Sequence, residues 1–321
     1  MPVKMTSGLI PNKDIFKKCA LLTVPRVLGF CDRDRASKTY GCCDRYYWHY
    51  KLHDYYNARL QEAAYLFALA HELDDEENDF YHKKKLLTWA RQAVRFWLVK
   101  RNRDGSVNET YPYERSFCAT GFGLFIILST LDILSKYGDV TRELQSSIAS
   151  GEWLVKRDNF IVSNQECAAA LALAKLGRLV DGKRYLESAR KKVAWLERQV
   201  RSTGYHPEYG GMDIGYETIT LSLLAHMADI PGFEEVKAQM KLGEKTISRF
   251  IREDGTWDIN RCSRKTRFIY PFGLVFLGSP IVEIISRGLE KNSILNPLWM
   301  DDRYCINYAI DYLETAHFLK C

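Results

Sequence analysis

The stretch that decides the fold is Phe96-Trp97-Leu98-Val99-Lys100. It recurs as Trp153-Leu154-Val155-Lys156 and Trp195-Leu196-Glu197-Arg198, and in a weaker form as Phe250-Ile251-Arg252-Glu253. Each copy ends a helical pattern, and a polar loop rich in Gly, Asp and Asn separates it from a more apolar helix. The aromatic anchors at 97, 153, 195 and 250 are 56, 42 and 55 residues apart. Such spacings are typical of repeated helical hairpins with elaborated loops.

The two helices of each predicted hairpin differ in the faces they present. The first is amphipathic, as in residues 185–201, where Ala189, Val193 and Leu196 share one face. The second is apolar almost all round, which indicates burial on both sides. These second helices are expected to begin near four residues: Ser116, Asn164, Tyr216 and Pro271.

Alternating outer and inner helices predict an all-α fold of the (α/α)n toroid type. We expect about ten to twelve helices, in an inner apolar layer and an outer amphipathic layer. Further helices are predicted over Asn57 to Leu73, Tyr81 to Lys100 and Tyr304 to Leu319. An open helical solenoid would show the same pairs, but the variable period and the long loops at one end favour closure into a ring.

The chain contains no linker, so we predict a single toroid domain over residues 1–321. Residues 1–53 form an N-terminal segment that contributes to the mouth of the ring. The longest apolar stretches, such as residues 121–129, are shorter than the roughly 20 residues of a membrane span, and none is expected. The N-terminus lacks the pattern of a secretory signal, and the nine cysteines have no framework spacing. A cytoplasmic protein with reduced thiols is therefore predicted.

Composition excludes several functional classes. A hydrophobic share of 46% rules out a disordered chain, and a net charge of +6 is too small and too mixed to predict nucleic-acid binding. No Cys/His pair has a zinc-ligand spacing, and no nucleotide-binding loop or nucleophile elbow occurs. We expect neither a metal nor another cofactor, and the sequence does not predict the oligomeric state.

Functional residues are expected where the inner helices begin, because the loops there lie at one mouth of the ring. The first such segment, residues 40–54, crowds aromatic rings beside charged groups. Aromatic faces stack on sugars, and charged groups bind hydroxyls and carboxylates. An alternative is that this segment holds the N-terminal region on the ring. Its candidate substrate-binding residues are Asp44, Arg45, Trp48 and Lys51.

The next segments add further candidates for substrate binding. Ser116 is a plausible N-cap, but capping does not explain three residues just before it: Glu109, Tyr111 and Glu114. Asn164 begins the following inner helix. Trp257 precedes Arg261, Arg264 and Arg267, which would form one cationic strip if the stretch were helical. A solvated face that pairs with nearby aspartates is the alternative for that strip.

Residues 206–217 are the densest cluster and supply the candidate catalytic groups. An imidazole, two phenols and three carboxylates surround Gly210-Gly211, a turn that allows close backbone approach to a ligand. A plain connection would need only turn residues. The catalytic candidates are His206, Glu208, Tyr209 and Asp213, and Tyr216 is a further candidate for substrate binding.

Outer tryptophan helices, Asp-Gly loops and apolar inner helices together resemble the (α/α) toroid module of the heparinase II/III and alginate lyase group. The motif resemblance lies in residues 40–61, 104–119 and 208–216. It implies β-elimination on an acidic, uronate-type oligosaccharide or polysaccharide. Arg45, Arg264 or Asn164 would then neutralise the uronic carboxylate, with Tyr209 or His206 acting as base and acid.

Two other functions fit the same residues. A glycoside hydrolase of the unsaturated-glucuronyl-hydrolase type would use paired carboxylates, drawn from Asp44, Glu109, Glu208 and Asp213. A non-catalytic glycan-binding protein, or an accessory protein of polysaccharide biosynthesis, would need only the aromatic rings and arginines. In each case the expected partner is an acidic saccharide.

Overall fold

The computed structural model describes residues 13–320, and over that range the chain is all-α. The first 12 residues of the predicted N-terminal segment lie outside the described range. Three isolated β-bridges occur in the described residues, and none of them extends into a strand. The thirteen α-helices are α1 (Lys13–Leu28), α2 (Arg45–Trp48), α3 (Ala63–Glu72), α4 (Lys84–Lys100), α5 (Phe117–Ser135), α6 (Thr141–Val155), α7 (Ser163–Leu179), α8 (Lys183–Thr203), α9 (Ile214–Ala228), α10 (Val236–Phe250), α11 (Phe272–Phe276), α12 (Ile281–Glu290) and α13 (Tyr304–Lys320). Three short 3₁₀ helices cover Ala58–Glu62, Ile259–Arg261 and Pro297–Trp299.

Six apolar helices contact one another in order. Helix α3 packs on α5, α5 on α7, α7 on α9, α9 on α11 and α11 on α13, and α13 in turn packs on α3. The contacts thus return to the helix at which they began. Each of these helices has a second partner: α4 packs on α3, α6 on α5, α8 on α7, α10 on α9, α12 on α11 and α1 on α13.

The predicted starts of the apolar helices agree closely with the structure. Ser116 is the N-cap of α5, and its Oγ accepts a hydrogen bond from Ala119 N at 3.1 Å. Helices α7, α9 and α11 begin within two residues of the positions expected from the sequence. Close packing between α9 and α11 requires Gly273, because a Cβ there would lie 2.4 Å from the backbone carbon of Leu221.

The tryptophans of the repeat lie on the second set of helices. Trp97 on α4 is fully buried and Trp153 on α6 is nearly so, whereas Trp195 on α8 is half-buried and packs against Phe160. Trp97 and Trp153 pack in the core and are the structural anchors that the repeat predicts. Trp195 packs against the core as well, but with Phe160 it also lines a third cavity, of about 570 Å³.

Helix α5 is longer and more apolar than the sequence analysis allowed. Its 19 residues are as long and as apolar as a membrane span. Of its most apolar 18-residue segment, 83% is buried inside the fold. A core helix of a soluble protein has the same properties, because it is apolar on every face. The absence of a membrane span therefore stays a prediction.

Candidate functional site

A cavity of about 600 Å³ lies among helices α5, α7, α9 and α13. Its size is that of a small-molecule site. The connections that precede these helices complete its walls. Seven of the residues predicted from the sequence line it: Glu109, Glu114, Asn164, Glu208, Tyr209, Tyr216 and Arg264.

Glu208 is a buried carboxyl group of this cavity whose surroundings alter its pKa. It is fully buried, and an isolated bridge with Val162 holds its backbone beside the start of α7. There, Oε1 accepts hydrogen bonds from both the backbone N and Nδ2 of Asn164, while Oε2 is buried with no partner in the described residues. Burial raises the pKa of Glu208 to about 7, although the bonds from Asn164 act in the opposite direction.

Tyr209 and Arg264 lie together beside Glu208. Tyr209 has a left-handed backbone, with φ 51°, and its N donates to Ile161 O at 3.1 Å, which fixes the turn. Its side chain is 55% exposed. The guanidinium carbon of Arg264 is 4.6 Å from the centroid of the Tyr209 ring. Arg264 forms no ion pair within residues 13–320, so its charge is available to a ligand.

A phenol pair forms another part of the wall. The hydroxyls of Tyr216 on α9 and Tyr304 on α13 are 3.4 Å apart. Burial raises the pKa of Tyr216, and the neighbouring Tyr304 adds to the shift. The Tyr216 phenol therefore stays neutral and can donate a hydrogen bond to an oxygen of a ligand.

The side chains of the two glutamates before α5 already have hydrogen-bond or ion-pair partners. Glu109 forms an ion pair with Arg303, and its Oε2 accepts a bond from Ser116 Oγ at 3.3 Å. Glu114 Oε2 accepts from the backbone N of Glu109 at 2.8 Å and of Thr110 at 2.7 Å. These carboxylates therefore shape the connection in addition to lining the cavity.

Sequence reasoning missed a buried polar network on the same wall. Arg59 forms an ion pair with Glu62 and donates to Asn307 Oδ1 at 3.3 Å, while Asn307 Nδ2 donates to Glu62. Burial raises the pKa of Glu62, although Arg59 opposes the shift. The guanidinium of Arg59 also lies 4.2 Å from the centroid of the Phe122 ring. A single buried network thus fixes the relative positions of α5, α13 and the 3₁₀ turn before α3.

The floor of the cavity also contains ionisable groups, which the sequence analysis did not predict. His226 Nε2 on α9 lies 2.9 Å from Glu314 Oε1 on α13. Asp311 Oδ1 accepts a bond from Phe272 N at 3.0 Å, and burial raises its pKa well above the usual range. The sequence does contain a signal for this wall: Asn307, Asp311 and Glu314 recur every three or four residues in an otherwise apolar helix.

Two predicted catalytic residues, His206 and Asp213, do not line the cavity. His206 is fully buried, with Nδ1 2.8 Å from Glu217 Oε1 and Nε2 3.4 Å from Gln239 Oε1. Asp213 is the N-cap of α9, and it accepts bonds from Tyr216 N and from the Thr266 hydroxyl. Both side chains hold the loop in place through buried hydrogen bonds.

The aromatic segment before α3 lies outside the cavity as well. Asp44 caps α2 and also accepts a bond from Asn57 N at 2.8 Å. Arg45 forms an ion pair with Asp302, and Trp48 Nε1 donates to Phe30 O at 2.7 Å. These contacts are consistent with the alternative interpretation, because they join the segment to Phe30, after α1, and to Asp302, before α13. Two further candidates, Lys51 and Tyr111, are exposed and absent from the cavity wall.

The predicted cationic strip is not formed, because residues 261–267 are not a continuous helix. A 3₁₀ turn ends at Arg261, and Lys265 has a left-handed backbone with φ 53°. Arg261 therefore lies over the Phe250 ring, at 4.6 Å, while only Arg264 faces the first cavity. Arg267 lines a second cavity with Trp257.

Within residues 13–320, no three His, Cys, Asp or Glu side chains are grouped so that they could hold a metal ion. Comparison with protein-family models, curated proteins and solved structures gives no match to this chain.

Proposed function

We propose that the protein is an (α/α)₆ toroid that cleaves an acidic oligosaccharide or polysaccharide by β-elimination in its axial cavity. The circuit of contacts from α3 through α13 and back to α3 supports the toroid, as does the outer partner that each of these helices has. In this arrangement the first cavity lies on the axis of the ring, at the end where the inner helices begin.

The choice of an acidic saccharide depends on the residues that line the cavity. Arg264 forms no ion pair within the described residues, whereas Arg303, from the opposite connection, is already paired with Glu109. Guanidinium groups bind carboxylates with two parallel hydrogen bonds. Tyr209, Tyr216 and Tyr304 add aromatic faces and hydroxyl groups, which suit the apolar faces and the hydroxyls of a sugar ring.

The observation that carries the proposal is the buried, unpartnered Oε2 of Glu208, whose pKa of about 7 leaves the carboxyl partly protonated at neutral pH. A carboxyl in this state can donate its proton to a leaving oxygen. In the proposed reaction, Tyr209 first releases its phenolic proton to solvent, and Arg264 neutralises the uronate carboxylate. The Tyr209 phenolate then takes the proton from C5, the C4–O bond breaks as a C4=C5 double bond forms, and Glu208 protonates the departing oxygen. A proton from solvent restores the Glu208 carboxyl group.

Hydrolysis is the second candidate, because the raised pKa of Glu208 would serve a hydrolase equally well as its general acid. A hydrolase also needs a second carboxylate as base or nucleophile. Glu109 is engaged by Arg303 and Ser116, and Glu114 by two backbone N–H groups. Elimination needs no second carboxylate, and for this reason we favour it.

A panel of uronate oligosaccharides tests the proposal. Elimination produces both an unsaturated uronate, which absorbs in the ultraviolet, and a new reducing end. Hydrolysis produces the reducing end alone. Saccharide binding without either product would overturn the catalytic proposal and leave a glycan-binding protein.

A further inference from the structure

Two connections contribute side chains to both of the cavities described above. Residues 251–271 join α10 to α11, and residues 291–303 join α12 to α13. They supply Arg264 and Arg303 to the first cavity. The same two connections supply Trp257, Arg267 and Trp299 to a second cavity of about 440 Å³. The proposed reaction makes no use of this second cavity.

The second cavity pairs a buried tryptophan with an exposed one. Trp257 is 6% exposed and forms part of the wall, whereas Trp299 is 52% exposed. An exposed indole beside a preformed cavity offers an apolar face that water solvates poorly. Such a face stacks on the apolar side of a sugar ring at little cost in conformational entropy.

The charges around this cavity favour an anion. Arg252 and Arg267 both line it, both are exposed, and neither forms an ion pair within the described part of the chain. The one carboxylate in the lining belongs to Asp258, whose Oδ1 accepts a bond from Asn260 N at 3.0 Å. Two unpaired guanidinium groups thus outnumber a single carboxylate that is already hydrogen-bonded.

Hydrogen bonds join the two connections that form the walls of the second cavity. Arg252 N donates to Thr256 O at 2.8 Å, in a turn that needs the left-handed Gly255, with φ 82°. Ser293 Oγ from the other connection donates to Asp254 O at 2.5 Å. The two connections therefore hold each other in place, so the cavity exists before any ligand binds, and binding does not have to order it.

We propose that the second cavity is an additional binding site for an acidic saccharide unit, which stacks on Trp299 and is held by Arg252 and Arg267. This inference rests on the proposed function, because it assumes that the ligand belongs to the same class as the substrate of the first cavity. An acidic polymer held here would raise the local concentration of its own chain at the catalytic site.

Isothermal titration calorimetry tests the second site without turnover. The titrations use the Glu208→Gln variant, with three acidic probes (tri-galacturonate, tri-mannuronate and a sulfated heparin disaccharide) and maltotriose as a neutral control. We expect two binding sites for at least one acidic probe and none for maltotriose in the second cavity. Adding Trp299→Ala and Arg267→Gln should weaken one site at least tenfold, and adding Arg264→Gln instead should weaken the other.

The two proposals fail in different ways. Unchanged stoichiometry and affinity after Trp299→Ala and Arg267→Gln, or equal binding of maltotriose, would overturn the second site whether or not the enzyme is active. Loss of one of two sites, combined with no product from the unmodified protein on any uronate polymer, would support the second site and overturn the proposed reaction. Circular dichroism checks the fold of each variant, and Arg261→Gln, in the same connection but outside both cavities, serves as the matched control.

Discussion

Asn164 donates twice to one oxygen of the Glu208 carboxyl group, from its backbone N at 2.9 Å and from Nδ2 at 2.8 Å. The first turn of α7 therefore fixes the orientation of the carboxyl group. Since Oε1 is the oxygen that accepts both bonds, a proton on the carboxyl resides on the unpartnered Oε2, whose residue lines the cavity. In the proposed reaction, helix α7 would thus give Glu208 a fixed direction of proton transfer.

Replacing Glu208 by Gln should abolish most of the activity and leave the fold intact. The amide keeps the shape of the side chain and an oxygen for Asn164, but it has no proton to transfer at neutral pH. General acid catalysis typically contributes about 10²- to 10⁴-fold, so we expect kcat to fall by that factor. Initial rates on uronate oligosaccharides measure the loss. Glu76→Gln, which alters an exposed carboxylate, should leave the rate unchanged.

The profile of log kcat/KM against pH should bend downward at about pH 7. The pKa of Glu208 is raised to about 7, so the acid form that the reaction needs predominates below that value and is lost above it. The slope of the profile should therefore decrease at this pH, and the Glu208→Gln variant should show no such bend. An upward bend at about pH 7 in the unmodified protein would mean that Glu208 acts as a base, contrary to the role assigned here.

Arg264→Gln should reduce kcat/KM on a uronate substrate by about 10²- to 10³-fold, because loss of a group that stabilises developing charge has effects of this size. The same variant should lose far less activity on the methyl ester of that substrate, since an esterified carboxyl group needs no neutralising cation. Arg261→Gln is the matched control. Equal losses on the acid and the ester would show that Arg264 does not bind the carboxylate.

His206→Asn should destabilise the protein. Its imidazole is fully buried against Glu217, so removing it leaves a buried carboxylate without its partner, which typically costs about 3–5 kcal/mol. Burial lowers the pKa of His206, but Glu217 outweighs burial and raises it overall. The stabilisation is therefore complete below the unfolded pKa of 6.5 and is lost as the pH rises through the higher folded value. Urea unfolding at several pH values should show a gap between wild type and variant that narrows with increasing pH.

Gly123→Ala should lower the free energy of unfolding by about 1–3 kcal/mol, as overpacking of a core does. An added Cβ would lie 2.8 Å from Nε1 of the buried Trp97 ring, which has no room to move. Gly121→Ala on the same helix is the matched control, because its Cβ would come no closer than 3.2 Å to Ala169. Urea unfolding of the two variants should separate them, and equal stabilities would contradict the tight packing between α4 and α5.

The helices could be predicted from the sequence because the physical signal is local. A helix buried on every side must be apolar on every side, as α5 is, and its start needs a cap such as Ser116. The ends of Asn57 to Leu73 were less accurate, because the first turn of that stretch is a 3₁₀ helix (Ala58–Glu62). There the polar side chains of Arg59 and Glu62 pair with each other and face the interior.

The site was predicted only in part, because a dense cluster of functional side chains does not specify which of them face the same cavity. Glu208 and Tyr209 do line it, whereas His206, two residues before Glu208, is buried against Glu217. The partners that decide these orientations, such as Asn164 and Gln239, come from other hairpins. The sequence around residues 206–209 does not predict which distant residues these side chains contact.

Helices α1 and α13 pack against each other although nearly the whole described chain separates them. On the ribosome, the hairpins from α3 to α12 emerge with their partners close behind them, and α1 can contact α3 early, but its main partner α13 is the last of the described helices to be made. Since α13 also carries Tyr304, Asn307 and Glu314 of the cavity wall, the first cavity is complete only after α13 has docked. Completion of this cavity therefore requires closure of a very long loop of the chain.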